Sequence, residues 1–182
     1  MFRTFLDRIP HLGLVFILFL LAACATSPNP GIDVSQLLRV KPEKLLMILD
    51  VPPGLGTTGK AGIIWGMREN GEEEPELVKF ELRQISEKAV GTEGARQVNF
   101  ALKKSDYKTF ERQQILLRAH LLAGTGNLNI LAGAELCNTL GVPIKGRSAN
   151  GIIVDTETGL RVLSFANSAA LSQIKATAPA CL

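Results

Sequence analysis

The sequence predicts a mainly β fold of the α+β class, which is either an antiparallel β-sandwich or a bent antiparallel sheet with one long helix packed on it. The first observation is an alternation of apolar and polar residues over residues 78–83 and again over residues 97–103. Such a period of two is typical of strands that have one buried and one solvent-facing side. The second observation is a single segment, residues 105–122, whose apolar residues instead recur at helical spacing.

The other strands are predicted from apolar runs and from turn residues. Residues 45–51 form an apolar run that only Asp50 interrupts, which favours a more deeply buried strand. Further strands are expected at residues 61–68, 127–136, 151–155 and 160–165. Residues 156–159 would then form the hairpin turn between the last two strands.

The predicted helix carries its apolar residues on one face, at intervals of three, seven and four: Tyr107, Phe110, Leu117 and Leu121. Ser105 or Asp106 is placed to cap its start, and Gly124 to end it. Charged and amide side chains between these positions favour helix as well. Because apolar residues also alternate with polar ones over residues 116–122, a strand there stays an open alternative.

The N-terminal region has the pattern of a signal peptide. Residues 12–23 are twelve consecutive residues without charge, and Arg3 and Arg8 precede them, opposed only by Asp7. A helix that spans a membrane needs about 20 residues. The run is therefore too short to span stably and matches a signal-peptide core.

The tetrad Leu21-Ala22-Ala23-Cys24 at the end of this run resembles the lipobox of bacterial lipoproteins. The resemblance implies that residues 1–23 are removed and that the Cys24 thiol carries a diacylglyceryl group, which holds the chain on a membrane. In that family an aspartate after the cysteine usually retains the protein in the inner membrane. Because Ala25 follows here, we expect the outer membrane, on its periplasmic face.

The chain is expected to hold one folded domain. Residues 24–43 contain the lipidated cysteine and a tether rich in proline, with Pro28, Pro30 and Pro42. Apolar residues within 32–40 are expected to pack onto the domain as an extended segment or a helical turn. Residues 44–182 form a single globular β-rich domain, since their number suits one core and hardly two.

The charge balance argues against a nucleic-acid partner. Arg3, Arg8 and Asp7 leave with the signal peptide, so that 18 of the 20 basic and 16 of the 17 acidic residues stay. A nucleic-acid binder would show a cationic stripe, whereas these charges are scattered.

Two cysteines, Cys137 and Cys181, remain after Cys24 is lipidated. Because the periplasm oxidises thiols, we expect a disulfide between them. The loop that it closes, about 45 residues, corresponds to roughly 4 kcal/mol in the loop-entropy model. Two buried free thiols or a redox pair are the alternatives, and a redox pair more typically has the spacing Cys-x-x-Cys.

Residues 54–60, Gly-Leu-Gly-Thr-Thr-Gly-Lys, match the first seven positions of a phosphate-binding P-loop. However, Ala61 stands where a serine or threonine would bind magnesium, and residues 63–65 continue as strand instead of opening a helix. We therefore expect no nucleotide and interpret the segment as a flexible loop between strands.

The remaining chemical candidates have structural interpretations. The acidic residues around Asn70-Gly71, between positions 69 and 76, are expected to form a solvated hairpin tip without a metal ion. His120, the only histidine left after the signal, is expected to be structural, as are the carboxylates of Asp155 and Glu157 in a turn. Trp65 and Tyr107 are expected in the core. No catalytic residue and no cofactor is predicted.

From Val98 onward the chain is also similar to small uncharacterised lipoproteins of Gram-negative bacteria. The similarity rests on a Ser-Asp-Tyr helix start with Gln113 or Gln114 inside, a strand that ends in Cys137, and the turn at 155–159. It implies no activity.

We therefore expect a non-enzymatic binding, assembly or structural module of the cell envelope, with another envelope protein as a partner. The alternative is an envelope enzyme whose site is assembled from residues distant in sequence. A cavity lined by inward residues would favour a lipid carrier, and a filled core a protein-binding or structural role; these residues are Val78, Phe80, Val98 and Phe100.

Overall fold

The computed structural model describes residues 33–68, 76–91, 93–124, 127–139, 149–167 and 179–181. Seven strands form one antiparallel sheet in the order β5-β2-β3-β4-β1-β6-β7. Their bounds are β1 Leu45–Val51, β2 Leu55–Arg68, β3 Glu76–Val90, β4 Ala95–Leu102, β5 Asn127–Asn138, β6 Ala149–Asp155 and β7 Arg161–Asn167. The sheet is curled and one long helix packs on it, which confirms the mainly β prediction in its bent-sheet form.

Along the chain, helical segments precede β1 and follow β4. Helix α1 spans Val34–Leu37 and a 3₁₀ turn spans Pro42–Lys44, while a second 3₁₀ turn, Lys104–Asp106, leads into the long helix α2, Tyr107–Ala123. The helix prediction is confirmed, and the strand alternative for residues 116–122 is wrong. Among the described residues, no helix is long and apolar enough to cross a membrane.

The two ends of α2 are formed differently. Gly124 ends the helix as predicted, in the left-handed conformation with φ 65°. The Asp106 side chain, however, makes no capping hydrogen bond to the helix. Its Oδ2 instead accepts from the backbone N–H of Glu81, at 2.9 Å. Asp106 therefore attaches the start of α2 to β3.

Three aromatic rings form the centre of the core between α2 and the sheet. Phe110 of α2 lies with its ring centroid 4.9 Å from that of Trp65 and 5.3 Å from that of Phe80. The rings of Trp65 and Phe80 are 5.2 Å apart and meet edge to face. All three side chains are at most 1% exposed. The predicted core position of Trp65 is confirmed, and Tyr107 packs half-buried against the same core.

The inward residues that were candidates for a cavity lining belong to this core. Phe80 and Phe100 are fully buried and Val98 is 1% exposed, while Val78 packs half-buried beside them. These side chains pack against one another in one core cluster, which also includes Phe110 of α2.

Residues 33–43, which the sequence placed in the tether, pack on the domain. Leu37 and Val40 are buried in the core. The side-chain amide of Gln114 in α2 donates to the carbonyl of Leu37 at 2.7 Å and to that of Val40 at 2.9 Å. The folded domain therefore reaches at least to Asp33, and of the two forms considered for this segment the structure has the helical turn.

The predicted loop at residues 54–60 is wrong, because Leu55 to Lys60 are the first residues of β2. The segment is an irregular strand. The pairing of β2 with β5 shifts register between Thr57 and Ala61, which is a β-bulge.

A close contact between β6 and β7 depends on a glycine. Gly151 is paired with Phe165 on the neighbouring strand, and the Phe165 ring lies directly over it. A Cβ added at Gly151 would come within 2.1 Å of Phe165 Cζ. The aromatic ring therefore occupies the space that any other side chain would need.

We predict that Gly151→Ala lowers the free energy of unfolding by about 1–3 kcal/mol, because Phe165 must leave its position. The matched control is Gly133→Ala, also in a strand, where an added Cβ meets nothing within 4 Å. The control is expected to leave stability unchanged or to raise it by about 0.5 kcal/mol. Denaturant unfolding of the purified proteins measures both, and equal values for the two variants would contradict the packing argument.

Candidate functional site

The candidate binding surface lies on the outer face of the sheet, where β2 is flanked by β3 and β5. It contains a shallow groove of about 420 Å³. Ile64 and Lys79 line it from β2 and β3, and Leu131 and Glu135 line it from the edge strand β5. We call this surface the β5 groove. It lies on the opposite side of the sheet from α2, because the alternate residues Ile63 and Trp65 of β2 point into the core.

Two glycines form the floor of the β5 groove. Gly62 and Gly133 are paired directly across β2 and β5. A Cβ added at Gly133 would meet nothing within 4 Å, while one added at Gly62 would come to 3.1 Å from the Phe80 carbonyl oxygen. The floor is therefore bare backbone. Sequence reasoning missed both residues, although an isolated glycine inside a strand pattern signals close approach to the backbone.

Apolar side chains border this floor and face solvent. Leu131, which lines the groove, is 67% exposed. Leu77 of β3 lies outside the groove, farther along the sheet, and is 66% exposed. Ile64 is half-buried and is the direct cross-strand partner of Leu131. A group of exposed apolar side chains beside a groove marks an interaction surface more often than isolated exposed leucines do.

The outer edge of β5 continues this surface. β5 is twelve residues long, and Glu135 is its only charged residue. Among the described residues, no named strand pairs with its outer edge, and a single bridge joins Asn138 to Ala180. Long edge strands with few charges are templates for pairing with another chain.

The rim of the β5 groove carries more basic than acidic side chains. Lys60 is 82% exposed and its Nζ lies 3.6 Å from Glu135 Oε2. Next to it is a second groove of about 450 Å³, which Lys60 and Lys79 share with Glu81, Arg83 and Lys103. Four cations thus face two carboxylates, so that the two grooves together favour an acidic ligand.

An ion pair holds part of this rim. The Lys103 ammonium donates a hydrogen bond to the Glu81 carboxylate. This bond, and then the attraction between the two charges, lowers the pKa of Glu81 below its ordinary value and raises that of Lys103. Both side chains are solvent-exposed, so the pair orients the rim more than it stabilises the fold.

The P-loop-like glycines each have a structural role in β2 or in the turn before it. Gly54 and Gly59 adopt φ values of 85° and 82°, which favour glycine. Gly56 gives room to the sulfurs of the cysteine pair, since an added Cβ would come to 2.9 Å from Cys181 Sγ. β2 then runs on to Arg68, with no helix start at Ala61. The glycine spacing of residues 54–60, which resembles a P-loop, is thus explained by a bulged strand.

Cys137 and Cys181 lie together, with their sulfur atoms 2.12 Å apart. The backbone around them is paired as well, because Asn138 N–H donates to Pro179 at 2.8 Å and Cys181 N–H donates to Asn138 at 2.9 Å. Residues 179–181 are thereby attached to the end of β5.

The other candidate residues do not converge on one place. Cys24 lies outside the described residues, as do positions 69–75 of the acidic segment, although β2 and β3 on either side of them pair as a hairpin. His120 lies half-buried near the end of α2. Asp155 accepts hydrogen bonds from the Glu157 N–H and the Thr158 hydroxyl, which confirms it as a turn residue. Within the described ranges, no three His, Cys, Asp or Glu side chains are grouped to hold a metal ion.

We predict that Cys137 and Cys181 are bridged. If Cys24 is acylated, as the lipobox resemblance implies, the protein then shows no reactive thiol in denaturant without reductant. Reduction should lower the free energy of unfolding by up to about 4 kcal/mol. A thiol reagent counts the reactive thiols, and a denaturant titration measures the free energy of unfolding. Cys137→Ser is the control, in which the thiol of Cys181 should become reactive. Two reactive thiols in the parent protein would contradict the bridge.

Comparisons with models of protein families, with curated proteins and with solved structures find no match to this chain.

Proposed function

We propose that this protein is a lipid-anchored protein of the outer membrane that faces the periplasm, and that it is a non-enzymatic module which binds another envelope protein. The anchor is supported by the lipobox Leu21-Ala22-Ala23-Cys24 and by the short apolar core before it. Diacylation and further acylation of one cysteine give an anchor of two or three chains, which suffices for stable attachment.

The observation that carries the binding proposal is the outer edge of β5 beside its glycine-floored groove. An extended segment of a partner would pair with the backbone of β5 and so add a strand to the sheet. Its side chains would pack against Leu131 and Ile64 over the bare backbone at Gly133. The basic rim at Lys60 and Lys79 favours a partner segment with acidic residues.

An enzyme is the less supported alternative. Among the described residues, the buried polar side chains are Gln113, Gln114, Asp155 and Ser164. Gln114 is used to hold the N-terminal segment and Asp155 to hold a turn. No observation on these four residues favours a reaction. The outer edge of β5 and the glycine floor beside it, by contrast, favour a binding surface.

We predict that Cys24→Ser abolishes lipidation and leaves an uncleaved precursor, because the thiol is the acyl acceptor in proteins with this motif. Metabolic labelling with a fatty-acid probe measures the acylation, and immunoblotting measures the precursor. Cys137→Ser is the matched control and should be labelled like the parent. Equal labelling of Cys24→Ser and the parent would refute the anchor.

We also predict that Gly133→Val prevents partner binding without unfolding the protein. Valine favours strands and its side chain enters open space, so stability should stay equal or rise by about 0.5–1 kcal/mol. Its methyl groups would fill the β5 groove and reduce partner recovery from detergent-solubilised envelopes by roughly tenfold.

The control for this experiment is Lys88→Val, at an exposed position of β3 outside the groove, which should recover the partner like the parent. Full recovery with Gly133→Val would place binding elsewhere. Failure of the parent protein to recover any stoichiometric partner would count against the binding function.

A further inference from the structure

We infer that the outward face of the second half of α2 rests on the lipid bilayer that holds the Cys24 anchor, in contact with anionic head groups and the acyl chains beneath them. The inference rests on the proposed anchor and adds to it a second, non-covalent contact with the membrane. Three observations carry it: an exposed apolar stripe, the basic residues around it, and its position beside the N-terminal segment.

The apolar stripe consists of Ile115, Ala119 and Leu122, which we call the α2 stripe. Their spacings of four and three residues place them on one side of the helix. Ile115 is 64% exposed and Leu122 is 83% exposed. The side of α2 that packs on the sheet is formed by other residues, including Phe110 and Leu117. The helix is thus apolar on its solvent side as well as on its core side.

Basic residues surround the α2 stripe. Lys108 and Arg112 lie about two turns and one turn before it, respectively, on the outward side, and both are exposed. Arg118 flanks it within the helix, between Ile115 and Leu122. Glu111 is the only acidic residue of α2. Exposed leucine and isoleucine combined with lysine and arginine are typical of helices that lie in the interface of an anionic membrane.

The α2 stripe lies close to residues 33–40, the described segment that is nearest in sequence to the proposed anchor. Arg118 donates to the carbonyl of Leu38 at 3.1 Å, and Gln114 holds the carbonyls of Leu37 and Val40. Eight residues, 25–32, lie between Cys24 and Asp33, so that nine Cα–Cα steps join them and reach about 30 Å at full extension. The anchor would therefore hold Asp33, and α1 directly after it, within about 30 Å of the lipid head groups.

The β5 groove stays free in this arrangement. α2 covers the inner face of the sheet through Phe110, whereas Gly133 and Leu131 lie on the outer face. A bilayer under α2 and a protein strand on β5 would therefore occupy opposite sides of the domain and would not compete.

The test uses the full-length lipidated protein in vesicles of phosphatidylcholine and phosphatidylglycerol. Ile115→Cys and Leu122→Cys introduce one reactive thiol each, which is labelled with an environment-sensitive fluorophore and quenched by doxyl-labelled lipid. The matched control is Leu131→Cys, because Leu131 is 67% exposed but lies on the outer face of the sheet. We expect quenching at positions 115 and 122 to be roughly threefold that at 131.

Charge reversal supplies a second variant. Lys108→Glu combined with Arg112→Glu, both exposed, should lower quenching at position 122 about twofold in vesicles that contain phosphatidylglycerol. In vesicles of phosphatidylcholine alone, the same pair of changes should have little effect. Equal quenching with and without the charge reversal in anionic vesicles would overturn the role of the basic residues.

The outcomes separate this inference from the anchor itself. If the protein floats with the vesicles but labels at positions 115 and 122 are quenched no more than the label at 131, the anchor stands and the inference is overturned. If pyrene labels at 122 form excimers instead, a second copy of the chain covers the α2 stripe and the inference is likewise overturned. If the protein does not float at all, the proposed anchor fails first.

Discussion

The packing of Phe110 against Trp65 and Phe80 is the contact on which the rest of this structure depends. A curled sheet has a continuous apolar inner face, which is unstable in water until another element covers it. α2 is that element, and Phe110 is the residue that brings it onto the centre of the sheet. Once α2 is in place, Gln114 offers its amide to the backbone of the N-terminal segment. The aromatic cluster therefore positions both the core and the N-terminal segment, residues 33–40.

Much of this fold could be predicted from local pattern, and the errors arose where distant residues determine the conformation. The alternation over residues 78–83 and 97–103 predicts which side chains are buried, since each of these strands has one solvent-facing side. Residues 55–60 contain glycine and threonine and so suggested a loop. They are a strand because β5 pairs with residues 55–57 and β3 with Lys60, and because the cysteine pair requires a glycine at position 56. Neither condition is visible in the segment itself.

The candidate site was less accessible to sequence reasoning. Cysteine count suggested that Cys137 and Cys181 meet, because they are the two cysteines that remain once Cys24 is assigned to the expected lipid anchor. The β5 groove depends on register, since only a specific pairing of β2 with β5 sets Gly62 opposite Gly133. If the register between β2 and β5 were shifted by one residue, Gly62 would no longer lie opposite Gly133, and a side chain would cover the floor of the β5 groove. The register of such a pair depends on the whole sheet and cannot be predicted from the sequence of either strand alone.

The attachment of the N-terminal segment also determines how the domain would respond to mechanical force. A pull on a lipid anchor enters the described structure at Asp33, whose N–H donates to Val162 of the edge strand β7. Residues 33–40 are held by that bond and by side chains of α2, whereas β1 is paired on both sides. Tension would therefore peel this segment away first and lengthen the tether by up to about 27 Å at full extension. The sheet and the outer edge of β5 would stay intact while the domain gained reach from its point of attachment.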